Sequence, residues 1–392
     1  MALADIRATE ATPPLARPVE LICIALAIAN TAYLIASYVQ GTWLVTPDGA
    51  AIQSDFVNVW AAGHLVLQGH PALAYDWPAH KAIEELAVGH SFDGYFGWHY
   101  PPMFLFFAAP LALCSYVGGY LAWLLATFPA YVIVVRQITG ERAGYLLALA
   151  FPAILSNFIV GQNGFLTAGL IGGALLTIER RPVLAGIFVG LLTYKPHLGL
   201  LFPIALIAGG HWRVIVSATI TALLIAAASW LAFGTETWIA FVQSIPHTSQ
   251  AFLSDGWANF GKLQTIFGLA RALDAPENIA WTLQGGLALA AAIAVALIWR
   301  SKLPFDIKAA ALGAGAMLAT PYLYTYDLVV LAVPLAFLYR LGRRAHFLNY
   351  EAGAIVLACA LIASFPFVSM PVGFAAVLIV AALVIRRAAI AR

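Results

Sequence analysis

Residues 103–135 read MFLFFAAPLALCSYVGGYLAWLLATFPAYVIVV, thirty-three positions without a charged side chain. A membrane-crossing helix needs about 20 mainly apolar residues, so the run is too long for one straight crossing. Pro110, Gly118, Gly119 and Pro129 interrupt it. It reads as one kinked span with a membrane-dipping entry, or as two spans. Further apolar runs lie near 19–40, 144–160, 165–178, 182–194, 197–210, 214–233, 281–298, 307–321, 326–340, 352–367 and 371–386. Taken together they predict an all-α polytopic membrane protein of about twelve transmembrane helices (11–13).

Composition agrees. Of 392 residues, 62% are apolar and 10% charged, and the mean hydropathy is +0.88. Soluble proteins carry about 45–50% apolar and about 25% charged residues, so a water-soluble globule is excluded, as are disorder and coiled coil. A net charge of +2 offers no basic stripe for nucleic acid. Cys23, Cys114 and Cys359 sit in apolar runs without metal-ligand or disulfide spacing and read as small buried hydrophobes. Residues 1–392 form a single integral membrane domain.

Charge asymmetry decides the parity. Arg7, Arg17, Arg136, Arg142, Arg180, Arg181, Arg213, Arg300, Lys302, Lys308, Arg340, Arg343, Arg344, Arg386, Arg387 and Arg392 are sixteen of the twenty basic residues. Cytoplasmic loops collect Lys and Arg. All sixteen share one side only if 103–135 crosses once. Both termini are then cytoplasmic, as expected in a bacterial inner membrane. Residues 19–40 read as an uncleaved anchor, since their apolar core exceeds the 7–15 residues of a signal peptide.

Two long stretches, 43–101 and 234–280, fall outside. The first holds Asp48, Asp55, Asp76, Glu84, Glu85 and Asp93, with five of the nine histidines. Residues 54–67 predict a helix with Ser54 as N-cap and an apolar face of Phe56, Trp60 and Leu67. Trp60 and Tyr75 suit the membrane interface. Asp55, in the first turn, is a helix-capping residue or a functional acid. Residues 78–88 predict a second amphipathic helix with a solvated face, Lys81 and Glu85 being spaced i, i+4. His99 and Tyr100 precede Pro101-Pro102 at the re-entry, where they read as aromatic belt or as part of a site.

The chain resembles glycosyltransferase family 87, the polyprenol-phosphate-mannose-dependent mannosyltransferases of the GT-C superfold. The likeness rests on Asp55-Phe-x-x-x-Trp-x-Ala-Gly63, the Gly69 to Tyr75 turn, Tyr100-Pro-Pro, Gly161-Gln162-Asn163, and Ala185 to Leu191 leading to Lys195-Pro196. It implies a GT-C type bundle that takes a hexose, mannose first, from a polyprenyl-phosphate donor at the extracytoplasmic face. The acceptor would be a glycolipid or envelope glycan. An acid in the first outer loop would act as general base, a position that Asp55 holds. One inverting displacement needs little acid assistance when phosphate is the leaving group, and no GxGxxG follows a predicted strand as a nucleotide site would require.

Cations and donors must meet the departing phosphate. Lys195 fits as a phosphate binder assisted by His197, or as a snorkelling anchor. Gln162 and Asn163 bind sugar or phosphate through their amides, or form an Asn-Gly turn. Lys262 is a second cation on the outer side. Tyr324 and Tyr326 stack on a sugar or anchor the interface, and Asp327 orients the acceptor or caps a helix. Family members often present a histidine near this last segment, and this chain does not. No cofactor is expected, and the acids lack the tight spacing of a metal set. The competing functions are a lipid-linked-sugar flippase or transporter and an O-antigen ligase or polymerase type of protein. The latter would carry its large loop late in the chain.

Overall fold

With no water in the hydrocarbon layer to bond to, the backbone must satisfy itself, and the chain is helical almost throughout. The computed structural model describes residues 17–257 and 259–391, so Arg7 and Arg392 of the basic set lie outside the described residues. After α1 (Arg17–Val39) the segment 43–101 carries α2 (Phe56–Leu67) and α3 (Trp77–Val88). Then come α4 (Leu105–Leu111), α5 (Tyr116–Thr139), α6 (Ala143–Ala150), α7 (Ala153–Val160) and α8 (Gly164–Thr177). The short α9 (Pro182–Leu191), α10 (Pro196–Gly199) and α11 (Leu201–Ala208) precede the long α12 (Trp212–Ser249). The remainder comprises α13 (Ile266–Ala272), α14 (Glu277–Arg300), α15 (Phe305–Ala319), α16 (Ala332–Ala345), α17 (Glu351–Ser364) and α18 (Val372–Ile390).

Six helices are long and apolar enough to cross a membrane, or seven if α6 and α7, bent by 62°, form one span. The count falls short of twelve because several of the expected spans fold as helices of 10–17 residues, too short to cross alone. Pro152 separates α6 from α7, and Lys195-Pro196 ends the run that begins in α9. At 1.5 Å per residue the fourteen residues of α8 reach about 21 Å, less than the apolar thickness. Residues 103–135 contain one crossing-length helix, α5, after the short entry Pro102–Leu111. The break at 112–115 is capped by Ser115, whose Oγ accepts from the Gly118 amide at 3.2 Å. It leaves Cys114 exposed, against the expectation for the cysteines.

The core gathers around α15, which is buried over nearly its whole length. Its run of alanines and glycines lets neighbouring backbones approach closely, and α14, α16 and α18 pack against it. One end of the bundle is basic. There Arg340 pairs with Asp306, Arg343 with Glu141 at 2.9 Å, and Arg387 with Glu351 at 2.8 Å. Some of the clustered basic residues therefore tie helix ends together. Asp327, at the opposite end of the helical segment Thr325–Ala345 from Arg340 and Arg343, marks the other pole.

Residues 43–101 depart from their sequence reading in four places. α2 is buried on most of its circumference rather than on one face, while Leu67, assigned to that face, is 47% exposed. Ser54 does not cap α2; its Oγ lies 2.9 Å from the Tyr116 hydroxyl. Trp60 and Tyr75 are core residues, not interface anchors: Trp60 Nε1 donates to the Cys114 carbonyl at 3.0 Å, and the Tyr75 hydroxyl donates to the Tyr100 carbonyl at 2.8 Å. On α3 Lys81 and Glu85 pair at 3.7 Å, but both are half-buried, Lys81 Nζ also donating to the Phe92 carbonyl at 2.8 Å, and Glu84 and His80 are fully buried. Glu84 Oε1 accepts from the Gly97 amide at 3.2 Å, which pins the loop leading to His99 and Tyr100. Gly97 has φ +61, and a side chain there would strike Tyr95 and His99.

Candidate active site

Asp55 stands at the start of α2 but does not cap it with its side chain, so the capping alternative does not describe its carboxylate. The group is half-buried and lines a cavity of about 230 Å³ walled by Trp43, Leu44, Ile52, Phe96, Tyr120 and Val160. Burial pushes its carboxyl up to about 6, opposed first by the Lys262 ammonium and then by a hydrogen bond from Gln162. A desolvated carboxyl poised near neutrality can take a proton from an incoming hydroxyl.

Gln162 comes from the turn after α7. Gly161 ends that helix at φ +67, and a Cβ there would lie 2.7 Å from Phe56 and from the Tyr120 ring, so only glycine lets the turn sit beneath α2. The turn is more than an Asn-Gly connection. Asn163 occupies the N-cap position of α8 without capping it, and its amide instead joins a buried network. Gln162 Nε2 donates to Asp55 Oδ2 at 3.5 Å, and the Tyr100 hydroxyl donates to Gln162 Oε1 at 3.0 Å. Asn163 Nδ2 donates to the Tyr100 oxygen at 2.7 Å. Lys195 Nζ donates to Asn163 Oδ1 at 2.8 Å and to Asp327 Oδ1 at 2.5 Å.

Lys195 is only 2% exposed, which excludes a snorkelling anchor, and its ammonium is already held by these two partners beneath the Tyr326 ring at 5.2 Å. Asp327 also accepts the Tyr324 amide at Oδ2, 3.1 Å away, within a capping box. It is therefore not the N-cap itself, a position that Tyr324 holds, but the N3 partner of the capping box, and it forms an ion pair as well. Tyr324 and Tyr326 stack at 5.8 Å in the interior, not at a lipid interface.

Lys262 is the exposed cation near Asp55. Its backbone is fixed, since Gln264 Nε2 donates to the Gly261 and Lys262 carbonyls, both at 3.1 Å, and Gln264 Oε1 accepts the Gly373 amide at 2.8 Å. Its side chain has no hydrogen-bond or ion-pair partner among the described residues. His197 packs edge-on against Tyr322 at 5.7 Å, and His99 bonds Thr248 at 3.3 Å and packs on Phe252. Neither histidine enters the Asp55 network. No group of three or more histidine, cysteine or acidic residues arranged to hold a metal is found among the described residues.

Sequence reading missed Tyr322 and Gln264. Tyr322 lay in view within the Tyr-rich run 322–326; a buried glutamine such as Gln264 leaves no periodic trace.

No curated protein and no solved structure matches the chain. The profile of glycosyltransferase family 87 matches residues 98–321, more than half of the length. The matched stretch carries Tyr100, Gln162, Asn163, Lys195 and Lys262, while Asp55 and Asp327 flank it. An acid facing a cavity, under the charge of a lysine unpaired among the described residues and on a helical membrane bundle, accords with that match: the chain belongs to glycosyltransferase family 87.

Proposed function

We propose that the protein transfers a hexose, mannose first, from a polyprenyl-phosphate sugar to a glycolipid or envelope glycan at the extracytoplasmic face. The shorter apolar helices then pair into crossings that complete a GT-C type bundle of about twelve spans, with both termini in the cytoplasm. The observation that carries the reading is Asp55, a carboxylate with no capping duty, open to a largely apolar cavity. An acceptor with a lipid portion suits those walls. Asp55 takes the proton of the acceptor hydroxyl, whose oxygen attacks the anomeric carbon. The bond to phosphate breaks with its electron pair leaving on the phosphate, so configuration inverts and no covalent enzyme intermediate forms.

Lys262 receives the departing phosphate in this reading, because its ammonium is unpaired among the described residues while that of Lys195 is paired. Lys262→Gln is expected to raise KM for the lipid-phosphate donor about tenfold, the loss of one charge-assisted contact, with a smaller change in kcat. An unchanged donor KM removes Lys262 from the phosphate site.

The function itself is tested with purified protein in detergent, a radiolabelled polyprenyl-phosphate mannose and extracted envelope lipids. Label should move to the acceptor fraction with inversion at the anomeric carbon. Detergent leaves no second compartment, so a flippase gives no transfer, and that result would overturn the reading.

A further inference from the structure

The contacts between Lys195 and Asp55 run in one direction. An ammonium can only donate and an ionised carboxylate can only accept. Lys195 therefore turns the oxygen of Asn163 toward itself, which leaves Nδ2 to donate to Tyr100. The Tyr100 oxygen, having accepted, sends its proton to Gln162 Oε1. Gln162 then presents Nε2 to Asp55. Reading back from Asp55 gives the same order, so the two charged ends agree on every amide orientation between them.

The oxygens of the chain are occupied and its members are buried, which leaves it little to offer a sugar beyond the second N–H of each amide. The Tyr100 hydroxyl has both its donor and an acceptor position filled, its ring is packed by Trp98 and Phe104, and its carbonyl holds the Tyr75 hydroxyl. Gln162 Oε1 also takes the Asn163 amide at 3.3 Å. Gln162, Asn163 and Tyr100 are at most 8% exposed. The chain delivers a single N–H, to Oδ2 of Asp55, and among the described residues nothing donates to Oδ1. Oδ1 is the oxygen available to an acceptor.

We propose that Tyr100, Asn163 and Gln162 are positioning residues, a one-way hydrogen-bond chain from the Lys195 ammonium that keeps Asp55 ionised and turns its Oδ1 toward the acceptor. The assignment rests on the transferase reading above for the purpose of the chain, though the chain itself is tested without substrate. A donor that bonds the charged form of a carboxyl favours that form. Hydrogen bonds in series polarise one another, so cutting the chain at Tyr100 weakens the donation at Gln162 two links away.

The experiment reads the protonation of Asp55 directly. Carbodiimide modifies the protonated carboxyl, so labelling of the Asp55 peptide, followed by mass spectrometry across pH, falls through a midpoint. Tyr100→Phe and Gln162→Met, both of similar volume to the native residue, are each expected to move that midpoint upward by about half a unit or more. The double variant should move it no further than either single change, because both cut the same chain. Midpoints unmoved in both variants, or shifts that add, overturn the proposal. So does a rise in donor KM with the midpoint in place, which would make these residues ligand contacts. A wild-type protein without transferase activity refutes the function reading alone, since the labelling midpoint still decides the chain.

Discussion

Asp55→Asn is expected to reduce sugar transfer by about 10³-fold, within the 10²–10⁴ that a positioned general base contributes. Asparagine keeps the shape and the contact with Gln162 but cannot take a proton. The variant should insert, purify and unfold at no lower temperature than the wild type. Its removal of a partly buried charge relieves a cost, since burial already holds the Asp55 carboxyl well above the usual carboxylate range. Donor KM should stay within about twofold, because a base acting only in the transition state contributes little to ground-state binding. In the wild type the ionised form is the working one, and its midpoint lies at about 6. Transfer should therefore hold a plateau above that pH and fall about tenfold per unit below it. Wild-type turnover by Asp55→Asn, or a profile without that acid limb, would end the assignment.

The acid limb connects to what the sequence could and could not disclose. Sorting charges by side isolated a few outer groups, and Asp55 stood out among them because the family resemblance places an acid of the first outer loop as the base. Its environment was not legible. Gln162 lies 107 positions away and reaches it only because Gly161 allows a tight turn under α2. Lys195 was visible as a cation against apolar sequence, where a charge must pair, bind or snorkel. Its partner Asp327 lies 132 residues on, and periodicity carries no information about such distances. Helix α3 misled for a different reason. The Lys81–Glu85 spacing suggested a solvated helix, yet Glu84 is one position away and about 100° around the axis, so it points inward. The number of spans was legible only in part, six or seven helices being long enough to cross alone, since hydropathy sees that a run is apolar but not where Pro152 bends it or how short its helix is.

Lys195→Met provides the second large effect, and it falls on stability. The Lys195–Asp327 pair is almost wholly buried. Breaking a buried pair by removing one partner typically costs about 3–5 kcal/mol, because the remaining charge has nowhere to go. A loss of that size should abolish the monodisperse peak in detergent or lower the unfolding temperature by about 5 °C. Replacing both partners, as Lys195→Met with Asp327→Asn, removes the orphan charge and should restore most of the lost stability. The asparagine introduced in place of Asp327 still offers an oxygen to the Tyr324 amide, so the cap at the start of that helical segment survives. The restored double variant then separates the two roles open to Lys195. If its ammonium serves chiefly as anchor for Asn163 and Asp327, donor KM stays close to wild type while kcat falls, because the chain to Asp55 has lost its charged end. If the ammonium leaves Asp327 to meet the phosphate during turnover, donor KM rises about tenfold or more in a protein that is otherwise stable. The first outcome is expected, because an ammonium with a carboxylate at 2.5 Å and an amide oxygen at 2.8 Å has little to gain by exchanging them for a transient ligand. Thermal unfolding of the three proteins, with donor KM measured on the double variant, decides between them.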